Sequence, residues 1–258
     1  MSSITRTAVA AAALAALAAS PAAWAAASAS ASISVVTITL FDLDPGDGIA
    51  PAITFSDEAS YSYAGANGVY DYDSAALFYQ PTSATATNGS ASANGATDAA
   101  GASGMSMVSS LGNGYSYGQF YAGFEVTPWT GVVMTTTMVG SATTTVGSDG
   151  VNAESASAYG SIYLNIYTVN GDETHQGYRY VNADYVWDGS QYTGESNSFN
   201  GTVRLSYANL SGDTVAGYYQ AYAQSSANST IPVPEPGTYG LLLAGLVGVV
   251  VAVRHRRA

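Results

Sequence analysis

The serine of Gly114-Tyr-Ser-Tyr-Gly118 fits the G-x-S-x-G pattern of nucleophilic hydrolases. In those enzymes the pattern forms a sharp turn from a strand into a helix, and the serine needs a neighbouring base. Here residues 119–126 have the composition of a strand, and the one histidine before the C-terminal tail is His175. We therefore interpret Ser116 as part of a glycine-punctuated tyrosine strand and predict no catalytic residue here.

Three acids in Asp42-Leu-Asp-Pro-Gly-Asp-Gly48 could bind calcium, which prefers hard oxygen ligands. The spacing differs from that of an EF-hand loop, because the third acid falls at loop position 6 and Ile53 occupies position 12. Asp42, Asp44 and Asp47 therefore form either a Ca²⁺ site or a Pro-Gly and Asp-Gly turn after the first strand. No other cofactor is expected.

Carbohydrate chemistry has two kinds of candidate residue. A glycosidase needs two facing carboxylates, and the sequence cannot say which of its acids meet. Nineteen of the 20 tyrosines and two of the three tryptophans lie in residues 26–230, and flat aromatic surfaces suit sugar binding. Tyrosine also favours half-buried strand positions, and exposed rings equally mark protein contacts. The candidates are Glu125, Glu154, Asp184 and Glu195 for catalysis, and Trp129, Trp187 and the neighbouring tyrosines 178, 180, 218, 219 and 222 for sugar binding.

The charge of the body, residues 26–230, is strongly negative. Its 17 acids face only Arg179 and Arg204, and the chain contains no lysine, so the net charge of the body is −15. Nucleic-acid binding depends on lysine and arginine neutralising phosphates, so we expect no nucleic-acid partner. Because there is no cysteine, neither a disulfide framework nor a thiolate metal site can form.

The elements that must position these residues are β-strands. Side chains alternate between apolar and polar over residues 161–167 and 202–207, and residues 33–41 are rich in β-branched types. Asx-Gly pairs accept the positive φ that tight hairpins need, and they recur along the chain. We predict an all-β fold, a single antiparallel β-sandwich of jelly-roll-like type. The predicted turns are Asp47-Gly48, Asn67-Gly68, Asn88-Gly89, Asn94-Gly95, Asn113-Gly114, Asp149-Gly150, Asn170-Gly171, Asp188-Gly189 and Asn200-Gly201.

Residues 81–104 contain only small and polar residue types. Such a segment could be a disordered low-complexity loop. Residues 90–93 also alternate, which is typical of small-residue strands at a sheet edge. Both interpretations keep residues 26–230 as one domain.

The N-terminal residues 1–25 have the layout of a secretory signal peptide. Arg6 supplies a basic region, residues 8–19 are apolar, and Ala23-Trp24-Ala25 provides an A-x-A cleavage site. The apolar stretch is too short to span a bilayer, which takes roughly 20 residues. We predict a signal helix that is cleaved after Ala25, and hence export.

The C-terminal residues 231–258 combine a short motif, an apolar run and a basic end. The run predicts a transmembrane helix over 238–253, and the arginines after it keep the tail end in the cytoplasm. Two prolines around one acid hold the backbone extended before the span, which favours a recognition element over a plain linker. The motif residues are Pro234, Glu235, Pro236 and Gly237, and the basic residues are Arg254, Arg256 and Arg257.

These three parts, in this order, resemble the PEP-CTERM sorting domain of Gram-negative bacteria. With the signal peptide, the resemblance covers about a fifth of the chain. It implies processing near Pro234-Glu235-Pro236 by an exosortase, a membrane cysteine transpeptidase, after a transient inner-membrane stage. It also implies delivery to the cell surface or medium and association with exopolysaccharide or biofilm.

For the body, the sequence predicts a non-catalytic, acidic cell-surface or extracellular-matrix protein. A carbohydrate-binding module that uses surface tyrosine and tryptophan is the alternative, and a polysaccharide-active enzyme is a third possibility. The sorting resemblance does not decide among them, because these tails are attached to many unrelated bodies.

Overall fold

The computed structural model describes residues 26–145, 153–168, 171–184, 186–187 and 192–230, all as strands and their connections. No helix long and apolar enough to span a membrane occurs in these ranges. The predicted signal helix and transmembrane helix lie outside them. In chain order the strands are β1 (Ala27–Ser34), β2 (Thr37–Asp42), β3 (Ile53–Ala66), β4 (Val69–Ala75), β5 (Thr82–Asn88), β6 (Ala91–Asp98), β7 (Gly101–Val108), β8 (Gly112–Val126), β9 (Thr130–Thr144), β10 (Glu154–Thr168), β11 (Gly171–Ala183), β12 (Val186–Trp187), β13 (Tyr192–Thr193), β14 (Ser196–Ala208) and β15 (Val215–Ser229).

The strands form two large antiparallel sheets that pack face to face. A seven-stranded sheet has the order β14-β9-β1-β7-β6-β5, with β2 also pairing β9, and a six-stranded sheet has the order β11-β10-β15-β8-β3-β4. A two-stranded ribbon, β12-β13, is separate from both. The chain crosses repeatedly between the sheets, while β3–β4, β10–β11 and β5–β6–β7 are hairpins within one sheet. The predicted all-β antiparallel sandwich is confirmed.

Strand alternation sets which side chains face the interior. In β10, Ile162, Leu164 and Ile166 are almost fully buried, and in β14 Val203 and Leu205 point inward while Arg204 points out. The apolar stretch 33–41 is not one strand, because the chain breaks at residues 35–36 into β1 and β2, which pair successive parts of β9.

The core changes character along the sandwich. One part holds large side chains, among them Phe120, Phe124 and Met134. The other is built almost entirely of alanine, for example Ala29, Ala93 and Ala227. Because alanine projects only one methyl group, the two sheets come closer together at this alanine end than the usual spacing of about 10 Å between packed sheets.

Buried serines show how near the sheets are at the alanine end. Ser106 of β7 lies in one sheet, and Ser116 of β8 and Ser225 of β15 lie in the other. The Ser225 Oγ is 2.8 Å from the Oγ of Ser106 and 3.0 Å from that of Ser116. These hydroxyls join the sheets by hydrogen bonds that are shielded from water.

Three of the predicted turns are wrong, and at one of them the reason is the close packing of the sheets. Asn94-Gly95, Asn113-Gly114 and Asn200-Gly201 lie inside β6, β8 and β14. At Gly95 a Cβ would lie 2.2 Å from the carbonyl oxygen of Tyr117 on the opposite sheet, so glycine is present there because the position has no room for a side chain. Asn67-Gly68 and Asn88-Gly89 do form hairpin turns, where both Asn67 and the glycines have positive φ.

For residues 81–104 the sequence allowed either a disordered loop or edge strands. The structure has strands there, namely β5, β6 and the start of β7. At the sheet edge, β5 is covered by side chains of β4. Asp71 Oδ2 accepts the Thr85 N–H at 2.8 Å, and Asp73 Oδ2 accepts the Ser83 N–H at 3.0 Å. These carboxylates occupy donors that an exposed edge would offer to another strand.

Candidate functional site

The outer face of the six-stranded sheet is covered with tyrosine. The inner strands alternate between an inward small or apolar residue and an outward polar or aromatic one, as where Gln220 and Tyr222 of β15 flank the buried Ala221. Cross-strand partners share a face, so the strand registers bring these outward tyrosines together. We call this surface the tyrosine face. Its tyrosines are Tyr61, Tyr63, Tyr70, Tyr72, Tyr115, Tyr117, Tyr121, Tyr159, Tyr163, Tyr167, Tyr178, Tyr180, Tyr218 and Tyr222.

One row of this face crosses all six strands without a break. Each of its members is the register partner of the next, from β11 at one edge to β4 at the other. The row measures about 24 Å across, at about 4.8 Å per strand. We call it the central row, and its members are Tyr180, Tyr159, Gln224, Tyr117, Tyr63 and Tyr72.

The rings support one another. Tyr63 and Tyr117 are stacked, with centroids 5.4 Å apart and an angle of 10° between the rings. Tyr159 contacts Tyr178 at 5.9 Å and Tyr222 at 5.4 Å. Rings held in this way lose little freedom when a ligand binds, which favours binding.

The edges of the face are the most open to solvent. Tyr70 and Tyr72 on β4 are 66% and 54% exposed, and Tyr178 and Tyr180 on β11 are 59% and 55% exposed. Rings in the middle strands are mostly half-buried. Exposed aromatic surface of this extent is typical of a binding surface.

Most phenols whose pKa departs from the ordinary value on this face are held in the neutral form. The hydrogen bond that Tyr218 donates to Tyr163, at 3.3 Å, raises the pKa of Tyr218 to about 12, and burial adds to it. Burial, followed by the contact with Tyr159, raises the pKa of Tyr222. The pKa of Tyr163 is lowered instead, chiefly by its hydrogen bond with Thr174.

Between the rings the face presents neutral amides and hydroxyls. Gln119, Gln220 and Gln224 point outward, and Gln176 donates a 2.7 Å hydrogen bond to the Tyr159 hydroxyl. Glu125 and Asp172 lie at one end of the face, and beyond them the outward positions of β8, β10 and β15 carry no charge. The result is a surface of roughly 24 by 30 Å whose charges lie at one end.

The opposite outer face, on the seven-stranded sheet, has different chemistry. It presents rows of serine and threonine, with Ser30 bonded to Ser141 at 2.9 Å. Met105 and Met107 are its exposed apolar side chains on β7. The tyrosines are therefore concentrated on one side of the molecule.

The structure places Ser116 in the interior of β8, where it is fully buried. Its hydroxyl donates to the Met105 carbonyl oxygen at 3.0 Å. His175 lies three strands away and six residues further along β11, at roughly 25 Å, and contacts Glu173 at 3.0 Å. No serine–histidine pair is formed by these two residues.

Of the four candidate carboxylates, Glu125 lies far from the other three. Glu125 and Glu154 lie beside opposite ends of β15, about 40 Å apart. Glu154 is 1% exposed, and its Oε2 accepts the Thr145 N–H. Asp184 and Glu195 lie near the same end, where Glu195 Oε2 accepts the Asp184 N–H at 3.3 Å.

The acids of the predicted calcium loop bind the backbone of their own loop. Asp42 Oδ1 accepts the Asp44 N–H at 3.0 Å, and Asp47 Oδ1 accepts the Ile49 N–H at 2.7 Å. Asp44 Oδ1 likewise accepts the Gly46 N–H at 3.1 Å. Hydrogen bonds from a backbone N–H to an Asp side chain two residues earlier are those of Asx turns. Within the described ranges no three His, Cys, Asp or Glu side chains are grouped so that they could hold a metal ion.

The predicted processing residues lie outside the described ranges. They are Ala23, Ala25, Pro234, Glu235, Pro236, Gly237, Arg254, Arg256 and Arg257. For the C-terminal ones, the comparison with protein families gives the answer: residues 232–257 match the model of the PEP-CTERM protein-sorting motif. The chain carries a PEP-CTERM sorting motif. This confirms the resemblance, and the motif implies export and exosortase processing through a membrane-anchored intermediate in a Gram-negative bacterium.

Outside the PEP-CTERM motif, the comparisons with known proteins give little information about the chain. No curated protein matches the chain. A solved structure from a study of carbohydrate-binding modules of the β-sandwich superfamily aligns over 80% of this chain and 98% of its own, at 11% identity and a TM-score of 0.10. A likeness this low supports no argument about the body.

The sequence identified only part of the tyrosine face, because tyrosines 178, 180, 218 and 222 lie on it while Tyr219 is buried in the core. A further signal for it exists. Tyr61-Ser-Tyr63 and Tyr115-Ser-Tyr117 have tyrosine at the strand period of two, and they lie on the adjacent strands β3 and β8 with Tyr63 opposite Tyr117. Of the tryptophans, Trp129 lies half-buried in the β8–β9 turn, away from the face. The side chain of Trp187 is outside the described set.

Proposed function

We propose that this chain is an exported, non-catalytic matrix or cell-surface protein that binds neutral exopolysaccharide through the tyrosine face. The single observation behind this proposal is the central row, which offers five rings and an amide side by side across the whole sheet. Aromatic rings pack against the apolar faces of sugars, and amides and hydroxyls bond sugar hydroxyls.

The charge of the molecule favours a neutral polymer. The body has 17 acids and two arginines, so an anionic polysaccharide would be repelled. The face itself is uncharged over most of its area and extends across all six strands, which suits an extended chain lying across the strands better than a single small sugar held in a pocket.

The sorting motif supports the location. A protein delivered by this route reaches the surface or the medium, where exopolysaccharide is present. We expect the mature chain to begin after the signal peptide and to end near Pro234-Glu235-Pro236. Intact-mass measurement of the exported protein tests this, and a product that retains Arg254 to Arg257 would contradict it.

A polysaccharide-active enzyme is the weaker candidate. It would need two carboxylates facing each other across a cleft. Three of the four candidates, Glu154, Asp184 and Glu195, cluster at one end of the sandwich, and Glu154 and Glu195 accept backbone N–H groups there. Glu154 points into the sandwich and not onto the tyrosine face.

Affinity electrophoresis tests the binding proposal, with the protein run through gels that contain either a neutral or an anionic polysaccharide from the producing bacterium. We expect retardation by the neutral polymer and little by the anionic one. The Tyr63→Ala/Tyr117→Ala variant should migrate freely, while Met105→Ala/Met107→Ala, which removes exposed side chains from the opposite face, should be retarded like the wild type. Equal migration of all forms would refute the proposal.

A further inference from the structure

Ala26, the first residue of the predicted mature chain, is hydrogen-bonded to the residue that follows β9. Ala26 donates its backbone N–H to the Oγ1 of Thr145, just after β9, at 2.8 Å. β1 begins at the next residue and lies in the middle of its sheet, between β7 and β9, with Ala27 fully buried. The position of the Ala26 nitrogen is therefore fixed by two neighbouring strands.

Thr145 connects this nitrogen to a buried acid. Its N–H donates to Glu154 Oε2 at 2.6 Å, and its Oγ1 lies 3.3 and 3.4 Å from the two carboxylate oxygens of Glu154. The Glu154 side chain, at the start of β10, is 1% exposed. One hydroxyl thus separates the Ala26 nitrogen from a buried carboxylate.

We propose that removal of the signal peptide creates an α-ammonium group that binds in this site, so that processing completes the fold. Hydrolysis of the Ala25–Ala26 peptide bond by a signal peptidase consumes one water and leaves a carboxylate on Ala25 and an ammonium on Ala26. Before cleavage the nitrogen offers one uncharged donor. Afterwards it has three donors and a positive charge.

The chemistry of the site fits an ammonium group. Charge-assisted hydrogen bonds are stronger than neutral ones, so an ammonium group that donates to the Thr145 hydroxyl, next to the Glu154 carboxylate, is bound more strongly than a neutral N–H. The neighbouring Asp184 and Glu195, joined to Thr144 by hydrogen bonds, make this end of the sandwich more negative still. The folded body is therefore more stable with a free terminus at Ala26 than with the chain extended.

The sequence allows an unusually clean test. The chain has no lysine, so the α-amino group is the one primary amine of the mature protein. Amine-selective acetylation of the exported protein, followed by hydroxylamine to reverse acetylation of tyrosine, removes that charge and nothing else. Intact mass verifies both the start at Ala26 and the addition of a single acetyl group.

We expect acetylation to lower the Tm by about 3 to 6 °C. In a Glu154→Gln variant the same treatment should lower it by less than half as much, because the charge partner is gone. Thr145→Val, which removes the bridging hydroxyl while keeping the shape, serves the same purpose if Glu154→Gln does not fold.

Three results would overturn the proposal. One is a mature chain that starts elsewhere than Ala26. Another is a Tm that acetylation leaves unchanged. The third is a loss of Tm that is equal in the wild type and in the variant, since this would show that the charge acts independently of the Glu154 site.

Discussion

Gly95 provides a quantitative test of how closely the two sheets pack. It lies in β6 and faces the six-stranded sheet, where an added Cβ would be 2.2 Å from the carbonyl oxygen of Tyr117 and 2.4 Å from that of Tyr63. Carbon–oxygen contacts normally measure about 3.3 Å or more, so Gly95→Ala requires the sheets to separate by about 1 Å. Both oxygens are backbone atoms of interior strands, so neither can move away without moving its strand.

Overpacking of a core costs about 1 to 3 kcal/mol, and a clash with two backbone groups belongs at the upper end. We therefore expect Gly95→Ala to lower the free energy of unfolding by about 3 kcal/mol in urea titrations, with an unchanged m-value. Gly212, in the β14–β15 turn, is the matched control, because a methyl group added there would have no atom within 4 Å. Gly212→Ala should change stability by less than about 0.5 kcal/mol. A similarly small change for Gly95→Ala would refute the close approach of the sheets.

Three further predictions concern the edge, the core and the tyrosines. Asp71→Ala/Asp73→Ala should expose the N–H groups of β5 and cause association that light scattering detects, and a variant that stays monomeric like the wild type would contradict the role of these acids. The buried Tyr219 hydroxyl makes no hydrogen bond of good geometry, and its interaction with the Tyr79 hydroxyl is a weak one. Tyr219→Phe should therefore change stability by less than about 1 kcal/mol in urea unfolding, and a loss above about 1 kcal/mol would show that the Tyr79 contact is a full hydrogen bond. Burial raises the pKa of Tyr219 and of Tyr222, and the hydrogen bond with Tyr163 raises the pKa of Tyr218 to about 12. Tyrosines of the unfolded chain have a pKa of about 10, so the folded state holds these protons more tightly than the unfolded chain does. The stability that these three raised pKa values contribute is complete below a pH of about 10 and is lost as the pH rises from about 10 to about 12. A urea unfolding midpoint that is as high at a pH of about 11 as at a pH of about 9 would contradict this.

The sequence predicted the class of fold because alternation and turn chemistry act locally. The inward positions of β10 and β14 follow directly from a period of two. The glycines were harder, since Asn-Gly has the same letters whether the glycine serves a positive φ, as at Gly68, or a lack of space, as at Gly95. Only the distance between the sheets separates the two cases, and that distance depends on alanines far apart in the sequence.

The tyrosine face could be predicted only in part for a similar reason. Pairs such as Tyr115 and Tyr117 show that two rings share one side of a strand. Whether Tyr63 lies opposite Tyr117 depends on the register between β3 and β8, and that register includes a bulge between Ser56 and Ala59. A register shift of one residue would have turned the tyrosines of β3 into the core.

Binding of the mature protein to the neutral polysaccharide of the producing bacterium tests the central claim most directly. We would measure the Kd of the wild type and of Tyr63→Ala/Tyr117→Ala, with Met105→Ala/Met107→Ala as the control and thermal melts to verify folding. Each ring contact is worth about 0.5 to 1.5 kcal/mol, so loss of two adjacent rings should raise the Kd about 5- to 150-fold, while the control keeps the wild-type value. A folded double variant that binds as tightly as the wild type, or a wild type that does not bind, would contradict the account.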